Sequence, residues 1–245
     1  MRRILVVGAS SGIGRALSAQ CLARGDAVVL AARRSALLDE VIAGSHRPAP
    51  TSALPCDTSD PDSCEAVVAA AAAFLEAHGG LDTIVYAAGT APLGPLSSTT
   101  ATQWHEILAT NLVGAALVVS AALPHLGRHQ GHSAVVLLSS SSVDAPWPGL
   151  VAYAASKGGL NQLALGLRAE AEGVRTIRVA VGPTATSFAD GWDPDCFATY
   201  FEQWAADGHL RHEVLEPDWT AAAILAALDD PDSPDDLSVI GPEAS

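Results

Sequence analysis

Lysine is nearly absent from this sequence of 245 residues: twelve of the thirteen basic residues are arginines, and the remaining one is Lys157. Charged residues make up only 16% of the chain, and acidic ones outnumber basic ones 27 to 13, for a formal net charge of −14. Nucleic acids and anionic membranes attract positively charged surfaces, so neither is an expected partner. The sequence therefore predicts a small-molecule ligand.

Cysteine is also scarce, and the four that are present form no CxxC pair and show no metal-ligand spacing: Cys21, Cys56, Cys64 and Cys196. This usage predicts free thiols in a reducing compartment and no metal site. The apolar run near the N-terminus is interrupted by glycines and Arg15, unlike a signal peptide. The stretch 112–126 is shorter than the roughly 18 residues of a membrane span and contains Pro124. We therefore expect a cytoplasmic protein without a membrane partner.

Short apolar runs alternate with amphipathic stretches along the chain. Continuously apolar runs are typical of strands buried on both faces of a parallel sheet, and they occur at 3–7, 27–32, 83–87, 134–138 and 177–181. A short strand ending near Cys56 and a last one at 237–240 raise the total to about seven. Helices are predicted between them at about 12–24, 35–43, 60–78, 99–125 (in one or two pieces), 153–172 and 218–228. The alternation predicts one domain over 1–245 with a three-layer, doubly wound α/β (Rossmann) fold, whose ligands lie beyond the carboxyl ends of the strands.

A glycine-rich turn follows the first predicted strand and opens the first helix. Glycines permit a tight turn and a close approach to an anion, and the helix N-terminus offers free N–H groups to a phosphate. A flexible turn without a ligand is the alternative. The strand–turn–helix context favours a nucleotide site made of Gly8, Ser10, Ser11, Gly12, Ile13 and Gly14.

The end of the second strand carries arginines where an NAD site usually carries an acidic residue. Ala32 is followed by Arg33 and Arg34, and a guanidinium fork matches the oxygens of a ribose 2′-phosphate. A solvated helix entrance is the alternative for these arginines. Asp57 directly follows the third strand, where it is either an acceptor for an adenine amino group or an ordinary turn residue. These residues predict NADP as the cofactor.

The strongest signal for chemistry is the pair Tyr153 and Lys157. Residues spaced i, i+4 share one helix face, and a neighbouring ammonium is expected to lower the pKa of a phenol toward the range useful for acid–base catalysis. That the only lysine of the chain lies four residues after one of three tyrosines argues against a chance surface pair. The sequence therefore predicts a tyrosine that transfers a proton.

Further small and polar residues follow the strands at the predicted ligand edge. Serines occupy positions 139–142, and Ala88 and Gly89 are small enough for the close approach of a flat ring. Asn111 lies in an apolar helix, where its buried amide needs a partner. A structural role and a catalytic role for Asn111 are both open.

Together these motifs resemble the short-chain dehydrogenase/reductase family, in its compact single-domain branch, from about residue 3 to residue 186. The resemblance implies that Ser140, thirteen residues before Tyr153, orients the substrate oxygen and that Tyr153 is the general acid in carbonyl reduction. It also implies that Lys157 lowers the pKa of Tyr153 and binds the nicotinamide ribose, and that Asn111 holds a helix bend feeding a proton relay. Thr186 would meet the carboxamide of the cofactor.

The sequence departs from the family pattern at three places. Val7 replaces a threonine before the first glycine, and the family's Asn-Asn-Ala-Gly motif is Tyr86-Ala87-Ala88-Gly89 here. The proline expected before Gly182, which the family places at the cofactor, is Val181. Because both motif amides are lost, we expect different contacts to brace the fourth strand.

The combined prediction is an NADP(H)-dependent oxidoreductase that interconverts a ketone or aldehyde and an alcohol. Residues 187–212 are expected to cover an apolar or aromatic substrate, although these aromatic residues could equally form local core: Trp192, Phe197, Tyr200, Phe201 and Trp204. Phe188 and Trp147 could also face the site. The alternatives are a 3-oxoacyl-(acyl carrier protein) reductase, for which an acidic chain is poorly suited, and a catalytically silent NADP-binding sensor or scaffold. The resemblance further implies a homodimer or homotetramer, assembled through the helices at about 102–126 and 153–172.

Overall fold

The computed structural model describes residues 1–126 and 133–243 and contains a seven-stranded sheet in which every neighbouring pair is parallel. The strands are β1 (Arg3–Val7), β2 (Ala27–Ala32), β3 (Thr51–Pro55), β4 (Thr83–Tyr86), β5 (Ser133–Ser140), β6 (Val174–Val181) and β7 (Asp236–Val239). The helices are α1 (Gly12–Arg24), α2 (Ser35–Ala43), α3 (Pro61–Glu76), α4 (Ala101–Leu108), α5 (Gly114–Leu126), α6 (Val151–Glu170), α7 (Pro194–Ala206) and α8 (Pro217–Asp229). The predicted Rossmann architecture is confirmed.

Each face of the sheet has its own apolar core because successive strand side chains point to opposite faces. In β1, Leu5 and Val7 pack toward α3, α5 and α6, whereas Ile4 and Val6 pack toward α1, α2 and α8. The strand order is β3-β2-β1-β4-β5-β6-β7, so the connections change direction between β1 and β4. Ligands of such sheets bind at this switch point, and the glycine turn leaves β1 there.

Helix boundaries follow local chemistry and differ from the sequence prediction at several ends. Asp60 caps α3 by accepting from the N–H of Asp62, as expected, but α6 begins at Val151, two residues earlier than predicted. The sequence prediction contains no helix at α7, of whose side chains only Trp204 is buried. Asp193 nevertheless starts α7 by accepting a 2.8 Å hydrogen bond from the N–H of Cys196.

The helical stretch Ala101–Leu126 extends beyond 112–126, the run that is too short for a membrane span by itself. Over these 26 residues the mean hydropathy of its most apolar window is 1.9, so the stretch is long and apolar enough to cross a membrane by length and composition alone. A core helix can pass the same test, and here 39% of the window is buried. Val118, Val119 and Ala122 lie in the core beneath the sheet.

Candidate active site

The glycine turn fits tightly against the end of β4. Gly8 has φ +91°, in the left-handed region that favours glycine, and a Cβ there would lie 2.5 Å from the backbone nitrogen of Ala88. A Cβ on Gly14 would lie 2.3 Å from the carbonyl oxygen of Gly8 and 3.2 Å from the Cβ of Ala87. The first glycine is therefore required by the close approach of the ends of β1 and β4, and the third by the close approach of α1 to the backbone of the turn.

The N-terminus of α1 faces this edge of the sheet. Ser11 precedes the helix in extended conformation, and within the described residues its side chain makes no capping hydrogen bond. Gly12 lies under Thr186, since a Cβ on Gly12 would be 3.0 Å from the Thr186 Cγ2 atom. The first N–H groups of α1, including that of Ile13, can therefore serve an anion.

The basic residues predicted for the cofactor lie beside the turn. Nη2 of Arg34 donates to the hydroxyl of Ser10 at 3.3 Å. Arg33 and Asp57 line one cavity of about 620 Å³ between the ends of the strands and α3. Hydrogen bonds from Ser59 and the charge of Arg33 hold the pKa of Asp57 below its usual value. The structure therefore brings Ser10, Arg33, Arg34 and Asp57 to one end of the glycine turn.

Ser140, Tyr153 and Lys157 meet at the carboxyl end of β5. The Nζ atom of Lys157 lies 5.8 Å from the centre of the Tyr153 ring, as the i, i+4 spacing predicts. The Oγ atom of Ser140 lies 2.9 Å from that of Ser142, and the Ser140 side chain acts to lower the pKa of Tyr153. Lys157 is only 4% exposed, and its Nζ donates to the carbonyl of Leu138 at 2.7 Å.

Burial dominates the acid–base properties of this group. It raises the pKa of Tyr153 to about 12, although the Ser140 side chain acts to lower it. The same burial lowers the pKa of Lys157 to about 8. The expected lowering of the Tyr153 pKa by Lys157 is therefore not found in the protein alone. At neutral pH the phenol keeps its proton, which is the form that a general acid requires, and the lysine remains charged.

Asn111 lies in a π-helical turn, Ala109–Val113, between α4 and α5, and it is fully buried. Its Nδ2 donates to the carbonyl of Thr90 and the hydroxyl of Ser156, each at 2.9 Å, while its Oδ1 accepts from the Thr90 N–H at 2.8 Å. A Cβ on Gly89 would lie 3.6 Å from both Asn111 Oδ1 and Lys157 Nζ. The structure thus brings Asn111, Gly89 and Lys157 together.

Gly182 and Thr186, which follow β6, have different contacts. The N–H of Gly182 donates to the carbonyl of Val239 at 2.9 Å, and a Cβ there would be 3.2 Å from the Cα of Ile240. Gly182 therefore contacts the end of β7, while Thr186 covers the glycine turn. The backbone of Ala88 lies against Gly8.

The aromatic segment 187–212 contains a residue that lies beside Tyr153 and others that form local core, the two possibilities that the sequence left open. The Phe188 ring lies edge-on to Tyr153 with centroids 5.3 Å apart, and it is 37% exposed. Trp204 is 3% exposed, and its Nε1 donates to the carbonyl of Pro148, so it forms local core. Trp192 Nε1 donates to the Ala91 carbonyl at 2.6 Å and anchors the segment beside the site. The sequence contains no periodic signal for this anchor.

Comparison with known proteins shows which family the chain resembles. The model of the short chain dehydrogenase family matches residues 2–196. A short chain dehydrogenase of Pseudocercospora fijiensis is 32% identical over 203 residues, 80% of this chain and 63% of that protein, so the chain spans less than two thirds of that relative. The 2-(R)-hydroxypropyl-CoM dehydrogenase of Xanthobacter autotrophicus is 33% identical over 220 residues, 87% of this chain and 82% of that protein.

The solved structure of a short chain dehydrogenase of Burkholderia cenocepacia J2315, in complex with NADP, matches with a TM-score of 0.78 and 27% identity, covering 98% of this chain and 96% of that one. The family match extends over most of the sheet and includes the glycine turn, Asn111, Ser140, Tyr153 and Lys157. The chain belongs to the short chain dehydrogenase family, whose members are oxidoreductases that use a nicotinamide cofactor on carbonyl and alcohol substrates.

Proposed function

We propose that the protein is an NADP(H)-dependent oxidoreductase that interconverts a ketone or aldehyde and an alcohol, with Tyr153 as the general acid. The observation that carries this proposal is the grouping of Ser140, Tyr153 and Lys157 at the carboxyl edge of the sheet, beside the glycine turn. A proton donor, a second hydroxyl and a cation lie within one small volume. Carbonyl reduction needs each of them.

The residues of the turn fit a phosphorylated dinucleotide. Gly8 and Gly14 bring the backbone of the turn close to β4, and the start of α1 presents N–H groups to a diphosphate. Arg33 and Arg34 would hold a ribose 2′-phosphate, and Asp57 would accept from the adenine amino group. When bound, the cofactor supplies the hydride that reduces the carbonyl carbon.

The protein's own residues handle the proton. Ser140 would donate a hydrogen bond to the carbonyl oxygen and hold it beside the Tyr153 hydroxyl, which releases its proton to that oxygen as negative charge develops. The Lys157 ammonium favours the phenolate that remains. Orienting both donors before the reaction lowers the entropic part of the barrier.

The aromatic segment supports an apolar or aromatic substrate. Phe188 is the partly exposed ring next to Tyr153, and Trp192 lies 5.9 Å from it, centroid to centroid. Stacked or edge-on rings at such a site suit a flat apolar group next to the carbonyl. We therefore propose an aryl ketone or aldehyde as the best class of substrate.

Oxidation of NADPH by the purified protein tests the proposed activity. We expect turnover with aryl ketones and aldehydes, slower turnover with short aliphatic aldehydes, and none with 3-oxoacyl groups on an acyl carrier protein, because the chain has a net charge of −14 and carrier proteins are acidic. Turnover only with the carrier-bound substrate would identify an acyl carrier protein reductase. NADPH binding without turnover of any carbonyl compound would identify a silent sensor or scaffold.

Arg33→Ala tests the preference for NADP. We expect NADPH binding to weaken by about 10- to 100-fold, because a charge-assisted contact to the 2′-phosphate is lost, while NADH binding stays within about twofold. Fluorescence titration of each dinucleotide measures the two constants. Arg47→Ala, which removes an exposed arginine that donates to the carbonyl of Arg24, is the matched control. An equal loss for both cofactors would contradict the assignment of Arg33.

A further inference from the structure

The π-helical turn that carries Asn111 has a tertiary contact that accounts for one departure from the family pattern. A π turn departs from the regular i to i−4 pairing of an α-helix, and its backbone groups need other partners. The carbonyl of Thr110, the residue before Asn111, accepts a 2.5 Å hydrogen bond from the hydroxyl of Tyr86. Tyr86 occupies the position where the family motif begins with asparagine.

The Tyr86 side chain is buried and contacts residues from several elements of the fold. Tyr86 is the last residue of β4, and its ring is fully buried in the core beneath the sheet. Its hydroxyl donates to the carbonyl of Thr110, and the side chain of Thr58 lies near it. Gly114, the first residue of α5, makes room for it, because a Cβ there would lie 2.7 Å from the Tyr86 oxygen. A strand, a loop and the helix therefore meet at this one phenol.

This phenol serves as a structural donor and does not titrate near neutrality. Burial raises the pKa of Tyr86 well above its ordinary value, so the hydroxyl keeps its proton at every pH at which the protein would be assayed. Few contacts separate Thr110 from Lys157. Asn111 follows Thr110 directly, and its side-chain amide contacts Thr90 and Ser156. Ser156 in turn precedes Lys157.

We propose that Tyr86 is a positioning residue: its hydroxyl fixes the Thr110 carbonyl, and thereby the π-helical turn, so that the Asn111 amide stays bonded to Thr90 and Ser156 beside Lys157. A phenol reaching from β4 into the helix replaces the bracing that the missing motif amides would supply. The inference rests on the proposed function only in assuming that Asn111 and Lys157 serve the reaction. The placement of Asn111 is testable without any activity.

Tyr86→Phe tests the proposal because it removes the hydroxyl and keeps the ring. The N–H of Thr90, which donates to Asn111, reports whether the amide stays in place, and we expect its hydrogen exchange to be faster by about 10-fold or more in the variant. For turnover we expect kcat to fall about 10-fold, with KM within about twofold, since a misplaced group lowers the rate more than the binding. Thr83→Val is the matched control, since it removes a buried hydroxyl bonded to Asp82 at the opposite end of β4.

A double-mutant cycle with Asn111→Ala separates positioning from general stability. If Tyr86 acts through Asn111, Tyr86→Phe has no further effect on kcat when Asn111 is already alanine. Multiplicative losses of kcat in the double mutant would overturn the proposal. It would also be overturned if Tyr86→Phe lowers Tm as Thr83→Val does but leaves both the Thr90 exchange rate and kcat unchanged. If the wild-type protein reduces no carbonyl compound, the proposed function has failed, and Thr90 exchange alone decides the role of Tyr86.

Discussion

Tyr153→Phe is expected to lower kcat/KM for the best carbonyl substrate by about 10²- to 10⁴-fold, the range associated with a lost general acid. The phenylalanine ring keeps the edge-on contact with Phe188, whose centroid lies 5.3 Å from that of Tyr153. Only the phenol oxygen and its proton are removed. Steady-state oxidation of NADPH measures the effect, with the same substrate for both proteins.

Cofactor binding provides the control for this variant. The glycine turn and the two arginines at the end of β2 do not depend on the phenol, so the NADPH dissociation constant should stay within about fivefold of the wild-type value. A variant that binds NADPH normally and reduces its substrate as fast as the wild type would exclude Tyr153 as the acid. Loss of binding together with turnover would show that the substitution disrupts the site instead.

Lys157→Met is expected to lower kcat/KM by about 10²-fold. The same substitution is expected to raise Tm at about pH 7. Lys157 is 4% exposed and the structure gives its Nζ one hydrogen bond, to the Leu138 carbonyl, so burial disfavours its charge in the folded state. Methionine has a similar length without the charge. In a domain of this size each kcal/mol of stability shifts Tm by roughly 2–4 °C, so a rise of several degrees is expected.

The pH dependence identifies the cause of that rise. The pKa of Lys157 is lowered from 10.5 to about 8 in the folded protein, so between these values the unfolded chain binds a proton that the folded protein does not. The free energy of unfolding of the wild type therefore rises with pH across this window, and the advantage of the methionine variant shrinks by about pH 9.5. A variant that is less stable than the wild type at neutral pH, or whose advantage does not change with pH, would contradict the burial argument.

The strands and the motifs at their ends could be predicted because each depends on neighbours close in sequence. A strand buried on both faces, such as residues 27–32, must be apolar throughout, and Gly8 follows such a strand directly. Tyr153 and Lys157 share a face in any helix. The departure at Tyr86 was visible in the sequence, but the group that it contacts was not, since Thr110 lies 24 residues away.

The amino-acid order by itself determined the sheet, the glycine turn, the arginines beside it and the pairing of the phenol with the only lysine. The tertiary structure alone decided the direction of the Tyr153 pKa, because that direction is set by burial, and burial depends on everything packed around the group. It also decided which aromatic residues form core and which face Tyr153, as Trp204 and Phe188 show. Periodicity reports local geometry only, whereas dielectric environment and long-range hydrogen bonds follow from the folded chain.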